Sequence, residues 1–272
     1  KQQNAALQSG ALSSNIAPAM MGQRAEAYAV ADIEPAAGGD NKIGFVLPGT
    51  NTHLKIGGYA KLDAIHDFNV SRDGSGEDFG LYSAIPLEGS NEEKKGSNTR
   101  IHARQTRINL TATTPTEYGD LEIFTEGDFY GDGGSQTTTN ASSFALRHVY
   151  GSLGPILIGQ TWSNYMDLAA YPESLDFQGV SGNTLVRQGQ IRYTHSPSGS
   201  DNSYSISLEN PQSDFLSNPA NPGVDKSIED LPDVTAKATF NGEMGHVSLK
   251  TVARKLEAFD SAGKESATDF GY

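Results

Sequence analysis

"LKIGGYAKLDAIHDF", residues Leu54–Phe68, places Leu54, Ile56, Ala60, Leu62 and Ala64 on one side of an extended chain and Lys55, Tyr59, Lys61, Asp63 and Asp67 on the other. A period of two is the mark of a β-strand. Such a strand packs its apolar side on a protein core or turns it outward against lipid, and its own pattern is the same in both cases. The rest of the chain has to decide.

The 272 residues leave room for one large all-β domain or two ordinary ones. Apolar residues make up 36% of the chain. No stretch approaches the roughly 20 apolar residues of a spanning helix, so any membrane crossing is through strands. The absence of cysteine excludes disulfide frameworks, thiolate metal sites and cysteine nucleophiles together. A formal net charge of -13 argues against a nucleic-acid partner, whose phosphates it would repel. With no initiating Met and no recognisable signal peptide, the sequence reads as a processed or trimmed product.

Lys1 to about Lys42 is rich in Ala, Gln, Gly and Asn without a steady period, and reads as a linker with a frayed helical turn at "KQQNAALQ". From there the pattern is strands. "RIHARQTRINLTAT" sets Ile108, Leu110 and Ala112 against Arg107, Asn109 and Thr111, and "DLEIFTEGDFY" sets Leu121, Ile123, Thr125 and Phe129 against Glu122, Glu126 and Asp128. Further strands are predicted at "FALRHVYGSL", "PILIGQTWSN", "RQGQIRYTH", "SYSISLE", "DVTAKATF" and "GHVSLKTVARKL", with the start of a tenth at "SATDFGY". The clearest facing is Tyr204, Ile206 and Leu208 against Ser205, Ser207 and Glu209, and Val234, Ala236, Ala238 and Phe240 against Thr235, Lys237 and Thr239.

The connections choose between core and lipid. A long polar stretch from Asn69 to Asn98 is followed by the tight "TPTEYG", then long "GDGGSQTTTNASS", short "LGP", long Asp167–Leu185, short "SPSGSDN", long Asn210–Pro232 and short "NGEMG". In an up-and-down antiparallel array, odd and even connections emerge at opposite ends, so one end is trimmed and the other elaborated. Transmembrane barrels have this asymmetry, with short periplasmic turns and long external loops. A soluble sandwich breaks such alternation with Greek-key crossings and wants bulkier inward residues than Gly, Ala and Thr. The expected fold is therefore all-β, an antiparallel up-and-down transmembrane β-barrel.

"LPGTNTHLKIGGYAKLDAIHDFN", "TEGDFYG", "LRHVYGSLGPILIGQTWSNYMD", "PESLDFQG" and "VRQGQIRYTHS" together resemble the DcaP-like outer-membrane porins of Gram-negative bacteria. The similarity runs from about Phe45 to the C-terminus and is most specific from Leu146 to Tyr193. It implies a homotrimeric barrel of about 16 strands that passes small anionic solutes such as dicarboxylates, in contact with outer-membrane lipid and lipopolysaccharide. It also implies a helical coiled-coil stalk before the barrel. On this basis residues 1–45 are expected to be a periplasmic linker or the end of such a stalk, and 46–272 a barrel domain that is C-terminally incomplete, with nine to ten strands present.

If the apolar faces meet lipid, the opposite residues line water. The expected pore-lining cations are Lys55, Lys61, Arg107, Arg192, Lys237, Lys250 and Arg254, with Arg147 less clearly placed. The acidic set is Asp63, Glu122, Glu126, Asp128 and Glu209, available to pair with the arginines across a locally basic lumen. Guanidinium groups so placed take a carboxylate bidentately. Taken singly, each of these residues is equally well a solvated strand residue.

The segment from Asn164 to Leu185 is less polar than the other long loops, and by analogy with the third long loop of porins it is expected to fold inward as the constriction. Tyr165, Asp167, Tyr171, Glu173, Asp176 and Phe177 are its candidate residues, a subunit contact being the alternative. Trp162 is either a pore-wall residue or an interface anchor. His66 and His148 are expected at membrane interfaces or strand ends. No cofactor, metal site or catalytic residue is expected: "DFYGDGG" lacks EF-hand spacing, the six His show no ligand spacing, and no nucleophile elbow or phosphate loop is present. Two other classes stand beside the porin. One is an outer-membrane barrel enzyme of protease or phospholipase type using Asp67, His66 and His102 at a rim, and the other a soluble carbohydrate-binding β-domain.

Overall fold

The computed structural model describes residues 44–68, 88–89, 97–131, 142–172, 175, 185–211, 224–227, 229–260 and 266–271. The segment expected to be a linker or stalk thus lies outside the described residues, apart from its last two positions. In chain order the strands are β1 (Phe45–Val46), β2 (His53–Tyr59), β3 (Asp63–Asp67), β4 (Asn98–His102), β5 (Arg107–Thr116), β6 (Gly119–Gly131) and β7 (Ser143–Leu153). They continue as β8 (Ile156–Trp162), β9 (Arg187–His195), β10 (Ser203–Glu209), β11 (Val224–Ser227), β12 (Asp233–Gly242), β13 (Gly245–Asp260) and β14 (Ser266–Gly271).

Twelve of these form one antiparallel sheet in the order β1-β2-β5-β6-β7-β8-β9-β10-β12-β13-β11, with β14 also on β13. Strands follow one another in sequence, with β3–β4 and β11 as excursions from the up-and-down path. The short connections β5–β6, β7–β8, β9–β10 and β12–β13 all lie at one end. Gly154, in the β7–β8 turn, has φ +56, a conformation that glycine adopts without strain.

Cross-strand pairing carries the apolar positions around one face. Ile56 faces Leu110, Leu110 faces Thr125, and Thr125 faces Val149. Further round, Gly151, Ile158, Ile191, Leu208, Val234 and Ala253 form one continuous row of partners. Directly paired residues share a face, so this is a single belt. Its large apolar side chains are mostly exposed: Ile56 by 62%, Ile158 by 56% and Ile191 by 54%. The opposite face inverts the usual rule. Among the described residues, Phe124 and Met166 are the buried apolar side chains, whereas Asn109, Glu126, Asp128, His148, Glu209 and Asp233 are all buried. Apolar outside and polar inside is the arrangement of a sheet immersed in lipid around a wet interior. Aromatic pairs flank the belt, Phe129–Phe144 toward the long loops and Tyr204–Phe240 toward the short turns. Such girdles sit at headgroup level.

Two expected strands are interrupted. Leu54–Phe68 divides into β2 and β3 at Ala60–Leu62, and "RIHARQTRINLTAT" divides into β4 and β5 at Ala103–Thr106. Just before the first break Gly58 has φ +132, where a Cβ would overlap the Arg107 carbonyl oxygen. At the second break the Thr106 N–H turns back to the Ala103 carbonyl, and the Thr106 hydroxyl accepts the Lys61 N–H. The β3–β4 hairpin therefore continues the β2–β5 pair past a double break, with facing preserved: Leu62 and Ile101 remain outward, Asp63 and Arg100 inward. β1 and β11, of two and four residues, are too short to leave a periodic signal.

Candidate pore-lining site

The strand positions expected to line a pore do share one face. Lys55 pairs with Thr111, which pairs with the inward Phe124. Arg107 pairs with Asp128. Glu122 faces Thr113 and Ser152, Arg192 faces Ser207, Ser207 faces Thr235, and Lys237 faces Ser205 and Lys250. Arg254 and Glu209 continue this face on β13 and β10, where both reach inward Asp233.

The densest charge cluster spans β5, β6 and β7. Arg107 donates to Glu126 Oε1 at 3.0 Å and to Asp128 Oδ2 at 3.1 Å, while Arg147 clasps Asp128 through Nε at 2.8 Å and Nη2 at 2.7 Å. The Tyr130 N–H also donates to Asp128. These pairs run along the wall between neighbouring strands, not across the lumen, because residues opposed on adjacent strands are already within side-chain reach. Arg147 reaches this face through a β-bulge: the register shifts between Glu126 paired with His148 and Gly127 paired with Leu146, leaving Arg147 as the extra residue. Arg147 and His148, adjacent in sequence, therefore both point inward.

The bulge also corrects the placing of His148, which lies within β7 and is 2% exposed instead of at an interface. Its Nε2 accepts from Arg187 Nε at 3.2 Å, so the ring proton is assigned to Nδ1, which lies 3.0 Å from the Thr161 hydroxyl. The Arg187 guanidinium stacks 3.7 Å above the Trp162 ring, which packs edge-on to His148. Trp162 thus belongs to the wall of the interior. Alternation in "RQGQIRYTH" assigns Arg187 to the Ile191 side, which is why sequence spacing misses it. Asp233, which accepts both Nε (2.9 and 3.0 Å) and Nη2 of Arg254, shares the parity of Thr235 and Lys237 and was legible from it.

The third long loop leaves β8 and lies against strands that come much later in the chain. Asn164 N–H donates to Glu209 Oε1 at 2.8 Å, and Asn164 Nδ2 to the Thr235 hydroxyl at 3.1 Å. Lys237 Nζ donates to the Met166 carbonyl, the Asp167 carboxylate meets His246 Nε2 at 3.0 Å, and Lys250 lies 5.8 Å from the Tyr165 ring centre. A single 3₁₀ turn, Leu168–Ala170, leads on to Tyr171. Glu173, Asp176 and Phe177 lie outside the described residues. Between this segment and the sheet is a cavity of about 570 Å³ whose lining includes Glu122, Tyr150, Trp162, Asn164, Arg192 and Lys237.

At the long-loop end, Arg100 pairs with Asp67 at 3.0 Å and His66 Nδ1 lies 2.6 Å from Thr99 Oγ1. Asp67 and His66 are thus engaged with separate partners, with no Asp–His relay between them. Outside the belt, a hydrogen bond from Lys255 holds the loop carboxyl of Asp230 below the usual carboxylate range. Among the described residues no three His, Asp or Glu converge as metal ligands.

Residues 40–214 match the family model described as DcaP outer membrane protein. The chain is 26% identical over 227 residues to porin Omp2a of Brucella melitensis biotype 1, covering 82% of this chain and 56% of that protein. It is 28% identical over 152 residues to porin Omp2a of Brucella suis, covering 55% and 40%. The crystal structure of the outer membrane channel DcaP of Acinetobacter baumannii superposes with a TM-score of 0.67 at 25% identity, covering 84% of this chain and 59% of that one. The chain spans a little over half the length of the first of these porins.

Proposed function

This chain belongs to the DcaP outer membrane protein family, a Gram-negative outer-membrane β-barrel, and on that premise we propose that the whole protein is a diffusion porin for small anionic solutes such as dicarboxylates. No covalent chemistry is involved; weak contacts in the lumen favour anions and release them. Residues 46–272 belong to the barrel, and residues 1–45 are a periplasmic linker or the end of a stalk. The functional unit is a homotrimer.

One observation carries the anionic preference: in the ion pairs Lys61–Asp63, Arg107–Glu126, Arg107–Asp128, Arg147–Asp128 and Arg254–Asp233, the cation is the more exposed partner. Side-chain exposure is 31% for Lys61 against 12% for Asp63, 11% for Arg107 against 0% for Glu126 and Asp128, 16% for Arg147 against 0% for Asp128, and 32% for Arg254 against 3% for Asp233. The Arg100–Asp67 pair of the β3–β4 hairpin reverses the order, at 11% and 21%. Lys55 and Lys250 add exposed ammonium groups. In those five pairs the carboxylate is held against the wall and the cation is the partner nearer the water, which supports a basic presented surface although the chain is acidic overall. The contacts of Asn164, Met166 and Asp167 with β10, β12 and β13 support an inward-folded loop as the constriction.

The test is single-channel recording of the full-length protein in a planar bilayer under a salt gradient, with a dicarboxylate titrated from one side. Anion-preferring steps blocked by the solute are expected; cation preference overturns the reading. Deleting Tyr171 to Gly179 raises conductance if this loop is the constriction, and an unchanged value removes it from that role.

A further inference from the structure

We propose that Glu209 is the positioning residue that turns the third long loop inward, acting as a hydrogen-bond acceptor for the loop and not as a charge in the lumen. The proposal rests on the inward-loop reading above and names the contact on which that fold depends.

Glu209 ends β10 and is 3% exposed. Its Oε1 gathers three donors: the Asn164 N–H at 2.8 Å, the Ser207 hydroxyl at 2.6 Å and the Thr235 hydroxyl at 3.4 Å. Asn164, two residues past the end of β8, is fully buried and spends its side chain on the same hub, donating to Thr235 and accepting from Ser205 at 2.7 Å. A chain leaving β8 has no reason of its own to cross β9. An unpaired buried N–H is costly, so the Asn164 amide is held wherever a buried acceptor waits for it, and here that acceptor is two strands away. Met166 on Lys237 and Asp167 on His246 lie downstream, and they are reached only once Asn164 has set the direction.

An acceptor and a field charge respond differently to substitution. Glu209→Gln keeps an Oε1 for the three donors and removes the charge; Glu209→Ala removes both. In the intact, membrane-inserted protein, Glu209→Gln is expected to leave conductance and reversal potential unchanged. Glu209→Ala is expected to raise conductance toward that of the loop-deleted form. A reversal-potential shift in Glu209→Gln, or unchanged conductance in a folded Glu209→Ala protein, overturns the proposal. If Glu209→Ala does not insert, Glu209→Met, which keeps much of the side-chain volume but has no acceptor for the Asn164 N–H, takes its part with the same expectation and the same refuting result. If loop deletion raises conductance while Glu209→Ala does not, the clamp alone is refuted; if neither does, the inward-loop reading falls with it.

Discussion

Replacing Asp128 tests whether the charge cluster of β5–β7 behaves as a buried network or as a solvated surface. Its carboxylate takes three guanidinium bonds, from Arg107 at 3.1 Å and Arg147 at 2.8 and 2.7 Å, and one backbone N–H, from Tyr130 at 3.0 Å, with no exposure of its own. Bonds to charged groups contribute about 1.5–3 kcal/mol each, so a simple sum over the guanidinium contacts overshoots. The three share one carboxylate and are not additive. Arg107 also keeps Glu126, so the loss falls mainly on the two-point clasp of Arg147. Breaking one buried pair of this kind costs about 3–5 kcal/mol, and that is the loss expected for Asp128→Ala. Asp63→Asn is the internal comparison, because Lys61 opposite it is 31% exposed and such a pair contributes about 1 kcal/mol or less. The assay is reversible urea unfolding of the barrel in lipid vesicles, extrapolated linearly to zero denaturant. A loss of about 1 kcal/mol for Asp128→Ala, level with Asp63→Asn, would refute the assignment of this cluster to a water-poor wall.

Gly159→Ala is expected to block or strongly destabilise the β7–β8 pairing, because φ is +140 and a Cβ would overlap the Val149 carbonyl oxygen and lie 2.5 Å from Tyr150 Cα; the temperature at which the folded electrophoretic form is lost measures it. Ile158→Lys puts a charge on the outward belt and should cost roughly 2–4 kcal/mol in the same unfolding assay, whereas Thr111→Lys on the inner face should cost well under half of that; equal losses would contradict the facing. Arg192→Gln is expected to reduce anion preference, read as a smaller reversal potential under a salt gradient. Arg107→Gln should reduce it further, since it leaves Glu126 and Asp128 without their shared guanidinium.

Much of this architecture is legible in the alternation of single residues. Tyr204–Ile206–Leu208 and Val234–Ala236–Ala238 pair across β10 and β12 as their spacing predicts, and the long–short rhythm of connections gives the up-and-down order. Alternation fails where the backbone departs from a strict period of two. The bulge at Arg147 puts two consecutive residues on one face, so His148 and its contacts with Thr161 and Arg187 are invisible to parity. The breaks at Ala60–Leu62 and Ala103–Thr106 depend on a hydrogen bond between segments 45 residues apart, which no local pattern reports. At the candidate site, residue types were legible and pairings were not. The inward face of Glu126, Asp128 and Arg107 follows from spacing, but which carboxylate each guanidinium takes depends on register. For the same reason Asn164, a polar residue at a strand end, gives no sign in sequence that it is fully buried.

The contacts that hold the third loop also fix a chronology. Asn164 waits for a partner 45 residues further on and another 71 further, and Asp167 for one 79 further. Such distant closures come late, since the chain between must first be ordered. A nascent wall built only as far as β9 has nothing for this loop to hold. The segment after β8 therefore takes its hold on the sheet only after β10, β12 and β13 have been added.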